Sequence, residues 1–341
     1  MSTIGESQLE LPKIIEDGVG RGASDIHISP RKPIAFRIDG KLCREENGYQ
    51  VTEGDTDDLV ADILEGKGKR TFKKRHSYDT SIAFKSKDGA PSTRARIHFY
   101  ETIEGVCLSC RLIPLIPKTL EQLGVPNLIK SWIRPGGIIL ISGLANMGKT
   151  TTLAAIIAHL NDTVDEKIVI LEDPIEYIHE DNLAHIDARE VGTHCPDYTA
   201  GLKDVHREDT TAVLVGEIRD RPTMDAVFGL AENGLKVFAS IHAVSAVHTI
   251  KKIVSWYVSE PESAYQRLCW NLSGIMNNSL VPKRSGGRIL ACDIITANDK
   301  VKQLLDEGKI MLIKAAQEDS RDDDLVSKKR SMEALEQRRI I

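Results

Sequence analysis

The stretch Gly143-Leu144-Ala145-Asn146-Met147-Gly148-Lys149-Thr150 constrains this chain more than any other. It matches the pattern G-x-x-x-x-G-K-[ST]. An apolar run, Ile138 to Ile141, leads into it, and a helix-compatible stretch, Thr151 to Ile157, leads out. In a strand–loop–helix context such a loop wraps phosphate oxygens with its backbone N–H groups. The helix N-terminus adds unsatisfied donors and a partial positive charge. Lys149 is then in reach of the β- and γ-phosphates of a nucleotide, and the Thr150 hydroxyl can serve Mg²⁺. The bland alternative is a glycine-rich turn with an exposed lysine. It leaves unexplained why Gly148, Lys149 and Thr150 sit together directly after a buried strand.

The remaining bounds are broad. A chain of 341 residues is long enough for two domains. Its net charge of -5 argues against a broadly basic nucleic-acid binder, so direct DNA binding is not supported. No run approaches the ~20 apolar residues of a membrane span, and the polar start lacks a signal-peptide pattern. These features predict a cytoplasmic protein. The six cysteines are scattered and read as reduced thiols. Cys107 and Cys110 form a lone C-x-x-C inside an alternating stretch, which favours buried thiols over a metal site.

Taken in order, residues 1–112 read as a small α+β domain. Leu9 to Val19 is a short amphipathic helix. Ala23–Ile28 and Ile34–Leu42 read as strands, the second broken by a hairpin-type turn at Asp39-Gly40. Asp57 to Leu64 reads as a helix. Tyr78–Phe84, Arg94–Tyr100 and Val106–Leu112 read as further strands. Arg94 and Arg96 share one face of their strand; pattern alone leaves solvation and function equally open. Two prolines mark 113–119 as a linker. From residue 120 to 341, strand and helix signals alternate. Strands at Ile138–Ser142, Lys167–Leu171, Ala212–Val215 and Val237–Ile241 alternate with helices at Thr199–His206 and Thr223–Glu232. After Pro261 the chain reads as mainly helical, with Ser273–Leu280 packing on the core and a strand at Arg288–Ile295. The charged tail after Asp319 reads as solvated, with Ser331–Arg339 as an optional surface helix.

In a parallel α/β sheet the carboxyl ends of the strands converge on one edge, where ligands bind. Here those ends carry acids and a histidine. Glu217 follows a buried strand, placed to polarise water or to hold Mg²⁺ through water. Glu172, Asp173 and Glu176 would repel one another without a cation nearby, unless they form a solvated acidic turn. His242 reads either as a γ-phosphate sensor or bridge to a carboxylate, or as a structural histidine.

Several signatures, in order, resemble the secretion ATPase superfamily, the PilT/GspE-like ATPases. The chain is most similar to the pilus retraction branch and to the conjugation and type IVB secretion branches (TraJ and DotB). Ala23-Ser24-Asp25-Ile26-His27-Ile28 with Arg37-Ile38-Asp39-Gly40 resembles the family's N-terminal strand pair. Ser142-Gly143 through Ala155 resembles its Walker A. Glu172-Asp173-Pro174-Ile175-Glu176 resembles its Asp box. Arg207-Glu208-Asp209 with Val213 through Asp220 resembles its Walker B, and Ser240-Ile241-His242-Ala243-Val244-Ser245-Ala246 its His box. The resemblance implies a PAS-like N-terminal α+β domain and a RecA-like P-loop ATPase domain in a homo-hexameric ring. It implies ATP and Mg²⁺ as ligands. Gly143, Asn146, Gly148, Lys149, Thr150 and Thr151 would hold the nucleotide, and Thr150, Glu172 and Glu217 the metal. Glu176, Glu217 and His242 would be catalytic, with Arg96 and Arg111 reaching the nucleotide from the N-terminal domain.

The chain also departs from the family pattern. Asn146 stands for a loop glycine, Leu235 for the first histidine of the His box, and Thr210 and Thr211 for a proline and an acid. Asp299-Lys300-Val301-Lys302-Gln303-Leu304-Leu305-Asp306-Glu307 replaces the AIRNLIRE motif of retraction ATPases, and the paired C-x-x-C insertion of extension ATPases is missing. The resemblance therefore implies a cytoplasmic ATPase, peripheral at the inner membrane, that powers a type IV (IVB) secretion or conjugative apparatus and partners its membrane proteins. A pilus retraction motor is the alternative, and a non-hydrolysing ATP-binding scaffold the second.

Overall fold

The computed structural model describes residues 9–45, 48–85, 91–113, 115, 117–133, 136–320 and 322–341. Part of the proline linker expected at 113–119, Pro114 and Ile116, lies outside them. The chain divides into two compact units, Met1–Ile116 and Pro117–Ile341.

The first unit runs α1 (Leu11–Gly20), β1 (Ala23–Ile28), β2 (Ala35–Ile38), β3 (Lys41–Arg44), α2 (Glu53–Ile63), α3 (Gly66–Arg75), β4 (Ser77–Lys85), β5 (Pro91–Thr102) and β6 (Gly105–Ile113). The strands form a six-stranded sheet in the order β3-β2-β1-β6-β5-β4, antiparallel throughout. α1 buries Leu11, Ile14, Ile15 and Gly18 along one stripe against β1 and β6. α2 starts four residues earlier than its apolar spacing predicts, because Thr52 and Asp55 form a reciprocal capping box. α3 is an addition to the expected elements. Its sequence, GKGKRTFKKR, carries almost no apolar period, yet Lys73, Lys74 and Arg75 suit the negative end of the helix dipole. Phe72 anchors it, buried edge-on to Phe99.

The second unit runs α4 (Leu120–Leu123), α5 (Leu128–Trp132), β7 (Gly137–Ser142), α6 (Lys149–Thr163), β8 (Lys167–Glu172), β9 (His185–Glu190), α7 (Tyr198–Val205), β10 (Ala212–Val215), α8 (Arg221–Glu232) and β11 (Lys236–Ile241). It continues with α9 (Ala246–Ser255), α10 (Pro261–Asn271), β12 (Leu272–Pro282), β13 (Arg288–Thr296), α11 (Asp299–Asp306), α12 (Ile310–Asp319), β14 (Leu325–Val326) and α13 (Lys328–Gln337). Its eight strands are ordered β14-β13-β12-β7-β11-β10-β8-β9. β12, β7, β11, β10, β8 and β9 are mutually parallel, and β13 and β14 extend the sheet antiparallel. Both faces are covered. Ile138 and Leu140 of β7 join one core cluster, while Ile139 and Ile141 join the cluster on the other face.

Two expectations are corrected here. Ser273–Leu280 is the buried strand β12 rather than part of a helical region. Gly274, Ile275 and Met276 pair with β7 on one side and β13 on the other, and this double pairing outweighs any helical tendency. The tail is not simply solvated. β14 pairs with β13, and α13 packs on β13, with Leu335 buried and the Ser331 hydroxyl accepting from the Cys292 N–H at 3.0 Å. All six cysteines are unpaired, and burial pushes the Cys110 and Cys292 thiols up to about 12.

The seating of α5 on β12 is tight enough to test. A Cβ added at Gly274 would lie 2.5 Å from the Trp132 indole, whose N–H donates to Thr296 Oγ1 at 3.2 Å. Gly274→Ala should therefore destabilise the protein by about 1–3 kcal/mol through overpacking and shift Trp132 emission, as read by urea unfolding followed by fluorescence. Unchanged stability and emission would refute this packing.

Candidate functional site

The site forms because the strand register stacks the strand ends. Ile241 pairs with Ser142, and Asn277 pairs with Ser142 from the other side. Residues following β7, β11 and β10 therefore leave the sheet on one edge: Gly143, His242 and Glu217. Gly143 has φ 149°, and a Cβ there would lie 2.8 Å from the Asn278 carbonyl oxygen, so only glycine lets the loop leave so close to β12. Asn146 is left-handed, φ 63°, a conformation asparagine tolerates better than most residues. Gly148, φ 80°, is the N-cap of α6. The loop thus runs straight into the first turn of α6, whose N–H groups lack carbonyl partners within the helix, a cradle that suits phosphate.

Lys149 is largely buried. Its ammonium donates to the Leu144 carbonyl at 3.0 Å and lies 3.2 Å from His242 Nδ1. An ammonium has only hydrogens to give, so Nδ1 accepts and the ring proton sits on Nε2. That nitrogen lies 3.2 Å from Glu217 Oε1, and Arg219 Nε donates to the other carboxylate oxygen at 2.8 Å. Lys149, His242, Glu217 and Arg219 form one polar chain across three strand ends. Burial first, and then the Lys149 cation, hold the His242 pKa below its ordinary value, only partly offset by Glu217.

The other expected residues are placed as follows. Glu172 closes β8, is buried, and accepts from the Glu176 N–H at 3.1 Å. The expected repulsion among Glu172, Asp173 and Glu176 is thus eased by a backbone donor rather than left for a cation alone. Glu176 is half-buried and Asp173 exposed. Thr150 is half-buried on the first turn of α6. The Thr151 hydroxyl accepts from Tyr177 at 3.4 Å. Arg96 and Arg111 belong to the first unit, directly opposite each other on β5 and β6. Arg111 Nε pairs with Asp25 at 3.1 Å and Arg96 with Asp79 at 3.7 Å. Arg94, their neighbour on the strand face, donates to the Ser81 hydroxyl.

The sequence reading did not single out the asparagines of β12. Asn277 Nδ2 donates to Ser142 Oγ and to the Ala243 carbonyl, both at 3.0 Å. Asn278 Nδ2 donates to Thr152 Oγ1 at 2.9 Å. Both are almost fully buried, and together they tie the end of β7, the turn after His242 and the first turns of α6 to one strand. Lys252 of α9 donates to the His242 carbonyl at 2.9 Å. The available signal was the polar stretch Asn277-Asn278-Ser279 between Ile275-Met276 and Leu280-Val281, legible only once the segment is known to be a buried strand.

The cradle fits a nucleotide triphosphate and Mg²⁺ on the donor set alone. Backbone N–H groups, one lysine and one threonine hydroxyl meet phosphate and a hard cation. Among the described residues no three His, Cys, Asp or Glu side chains gather as a metal cage. A magnesium ion carried with phosphates takes few protein ligands.

A family model described as Type II/IV secretion system protein matches residues 6–339. The chain belongs to this family. It is 30% identical over 304 residues to the type IV pilus retraction ATPase PilT of Pseudomonas aeruginosa, spanning 89% of this chain and 87% of that protein. The crystal structure of the pilus retraction motor PilT with bound ADP superposes with a TM-score of 0.84 at 28% identity, covering 98% of this chain and 95% of that one. The ATPase DotB of Legionella pneumophila shares the fold, with a TM-score of 0.85 at 23% identity over 99% and 95% of the two chains. Within the PilT/GspE-like secretion ATPase superfamily, the second unit is the RecA-like P-loop core and the first the small N-terminal α+β domain. Leu235, where the family pattern has a histidine, packs against the hydrophobic core.

The neutral state of His242 has a measurable consequence. Its folded pKa lies below the ordinary value of about 6.5, so on acidification the unfolded chain takes up its proton first. Stability tied to neutral His242 is present above that value and falls as pH drops toward the folded pKa. His242→Gln should remove this component. Urea unfolding of the nucleotide-free protein at pH 7.5 and 5.5 should show wild type losing more stability than the variant, and equal losses would refute it.

Proposed function

We propose that this chain is an ATPase of the secretion and pilus machinery, acting as a homo-hexamer at the inner membrane. The observation that carries the reading is the polar chain from Lys149 through His242 to Glu217, lying directly behind a P-loop at the carboxyl edge of a parallel sheet. ATP is the substrate whose phosphates suit the cradle. Lys149 exchanges the Leu144 carbonyl and His242 for phosphate oxygens. His242, released from the lysine, is free to report on the terminal phosphate. Glu217 polarises the attacking water. Thr150, Glu172 and Glu217 would hold Mg²⁺, which would neutralise charge on the transferred phosphoryl. Glu176 acts with Glu217 in catalysis, and Thr151 helps to hold the nucleotide. Arg96 and Arg111 serve as positive charge for the transition state once subunits assemble.

For the process served, the divergent segment 299–307 favours a type IVB secretion or conjugative apparatus. The 30% identity to a pilus retraction ATPase favours the second reading, a retraction motor. Among the described residues no helix is long and apolar enough to cross a membrane, so attachment through membrane partner proteins is the form proposed.

Lys149→Ala should weaken nucleotide binding about 10- to 100-fold, the weight of a lost charged hydrogen bond. Glu217→Gln should bind normally and turn over about 10²–10⁴-fold more slowly. Wild-type turnover in Glu217→Gln would sink the assignment, as measured by phosphate release and equilibrium nucleotide binding.

For the arginines, Arg96→Ala and Arg111→Ala should lower kcat by about 10³–10⁵ with little change in KM. Activity per subunit should rise with protein concentration. Full turnover in both variants at high dilution would leave a self-sufficient monomer.

A further inference from the structure

A cavity of about 460 Å³ opens beside α9, α12, β13 and the start of α13; none of its lining residues belongs to the P-loop, and Asp293 in its wall is the register partner of Asn277. Its size falls within the range of small-molecule sites. Four lysines line it from three separate helices: Lys251 of α9, Lys314 of α12, and Lys328 and Lys329 of α13. Two carboxylates stand against them, and both have other work. Asp293 is almost fully buried. It accepts from the Ala246 N–H at 2.8 Å and from Gln317 Nε2, so it caps α9, and it also feels the charge of Lys328. Glu318 pairs with Lys314 on its own helix at 3.6 Å.

Lys251 donates to the Met311 sulfur at 3.4 Å, and a thioether is a weak acceptor for a full positive charge. Lys329 meets Glu333 only at 3.9 Å, with the lysine side chain 86% exposed, a pair of little worth. The lining therefore gathers four ammonium groups from three helices against two carboxylates, Asp293 near Lys328 and Glu318 near Lys314. An anion offering several oxygens would relieve that repulsion. Lysine, a compact point charge with rotatable donors, suits phosphate without demanding planar geometry.

We propose that this cavity is a second anion site, recognising a phosphate-bearing group independently of the P-loop. The test uses the full-length protein with the P-loop saturated by a non-hydrolysable ATP analogue, titrated with pyrophosphate by calorimetry. A second saturable event is expected, weakened about tenfold for each lysine removed in Lys328→Gln and Lys251→Gln, with thermal stability in the absence of pyrophosphate unchanged. A parallel arm floats the protein with phosphatidylglycerol vesicles. Vesicle binding lost in the double variant, without pyrophosphate binding, would assign the phosphate to a lipid headgroup. Failure to bind either probe, or binding equally strong in the Lys251→Gln/Lys328→Gln variant, would overturn the proposal.

Discussion

The central constraint is the position of β7. It is enclosed by β11 and β12 as parallel neighbours, in a register that sets Ser142 beside both Ile241 and Asn277. With apolar residues filling both of its faces, β7 is held in this register by its ladders to β11 and β12 and by the close approach of Gly143 to the Asn278 carbonyl. The loop after it must therefore emerge level with the ends of its neighbours. The close approach of the loop to β12, the meeting of Lys149 with His242, and the bond between His242 and Glu217 all descend from that alignment.

Much of this is legible in the sequence, and the reasons are physical. β7, β8, β10 and β11 are short, continuous apolar runs bounded by turn residues, because parallel strands covered on both faces carry no polar alternation. The loop between β7 and α6 stands out because phosphate cradles require glycine at positions where other residues clash. Glu217 and His242 are readable as the first polar residues after such runs. Their mutual contact is not readable, since it depends on the spatial order β7-β11-β10, which differs from the chain order.

What escaped the sequence reading shares a cause: these elements draw their stability from partners far along the chain. β12 contains two consecutive asparagines that oppose any simple strand pattern. Their side-chain N–H groups are taken up by Ser142, Ala243 and Thr152, while the buried Asn278 Oδ1 has no hydrogen-bond partner. β9, with its polar sequence HIDARE, is recruited by the backbone of β8. α13 is highly charged and owes its place to β13. The arginine pairs of the first unit are a milder case. Their shared face follows from alternation, while the carboxylates that neutralise them come from β1 and β4.

Those carboxylates give the two arginines an unexpected character. Arg96 and Arg111 stand side by side across a strand pair, where like charges repel, and each is held by a local acid. Asp25, the partner of Arg111, is itself only 7% exposed. Drawing Arg111 elsewhere would leave the Asp25 carboxylate with the Ser24 hydroxyl at 2.8 Å but without its cation, an uphill move unless the new anion binds the guanidinium more strongly. An anion that engages Arg111 therefore has to compete with Asp25 for the guanidinium, so the acid sets how readily that side chain changes partner.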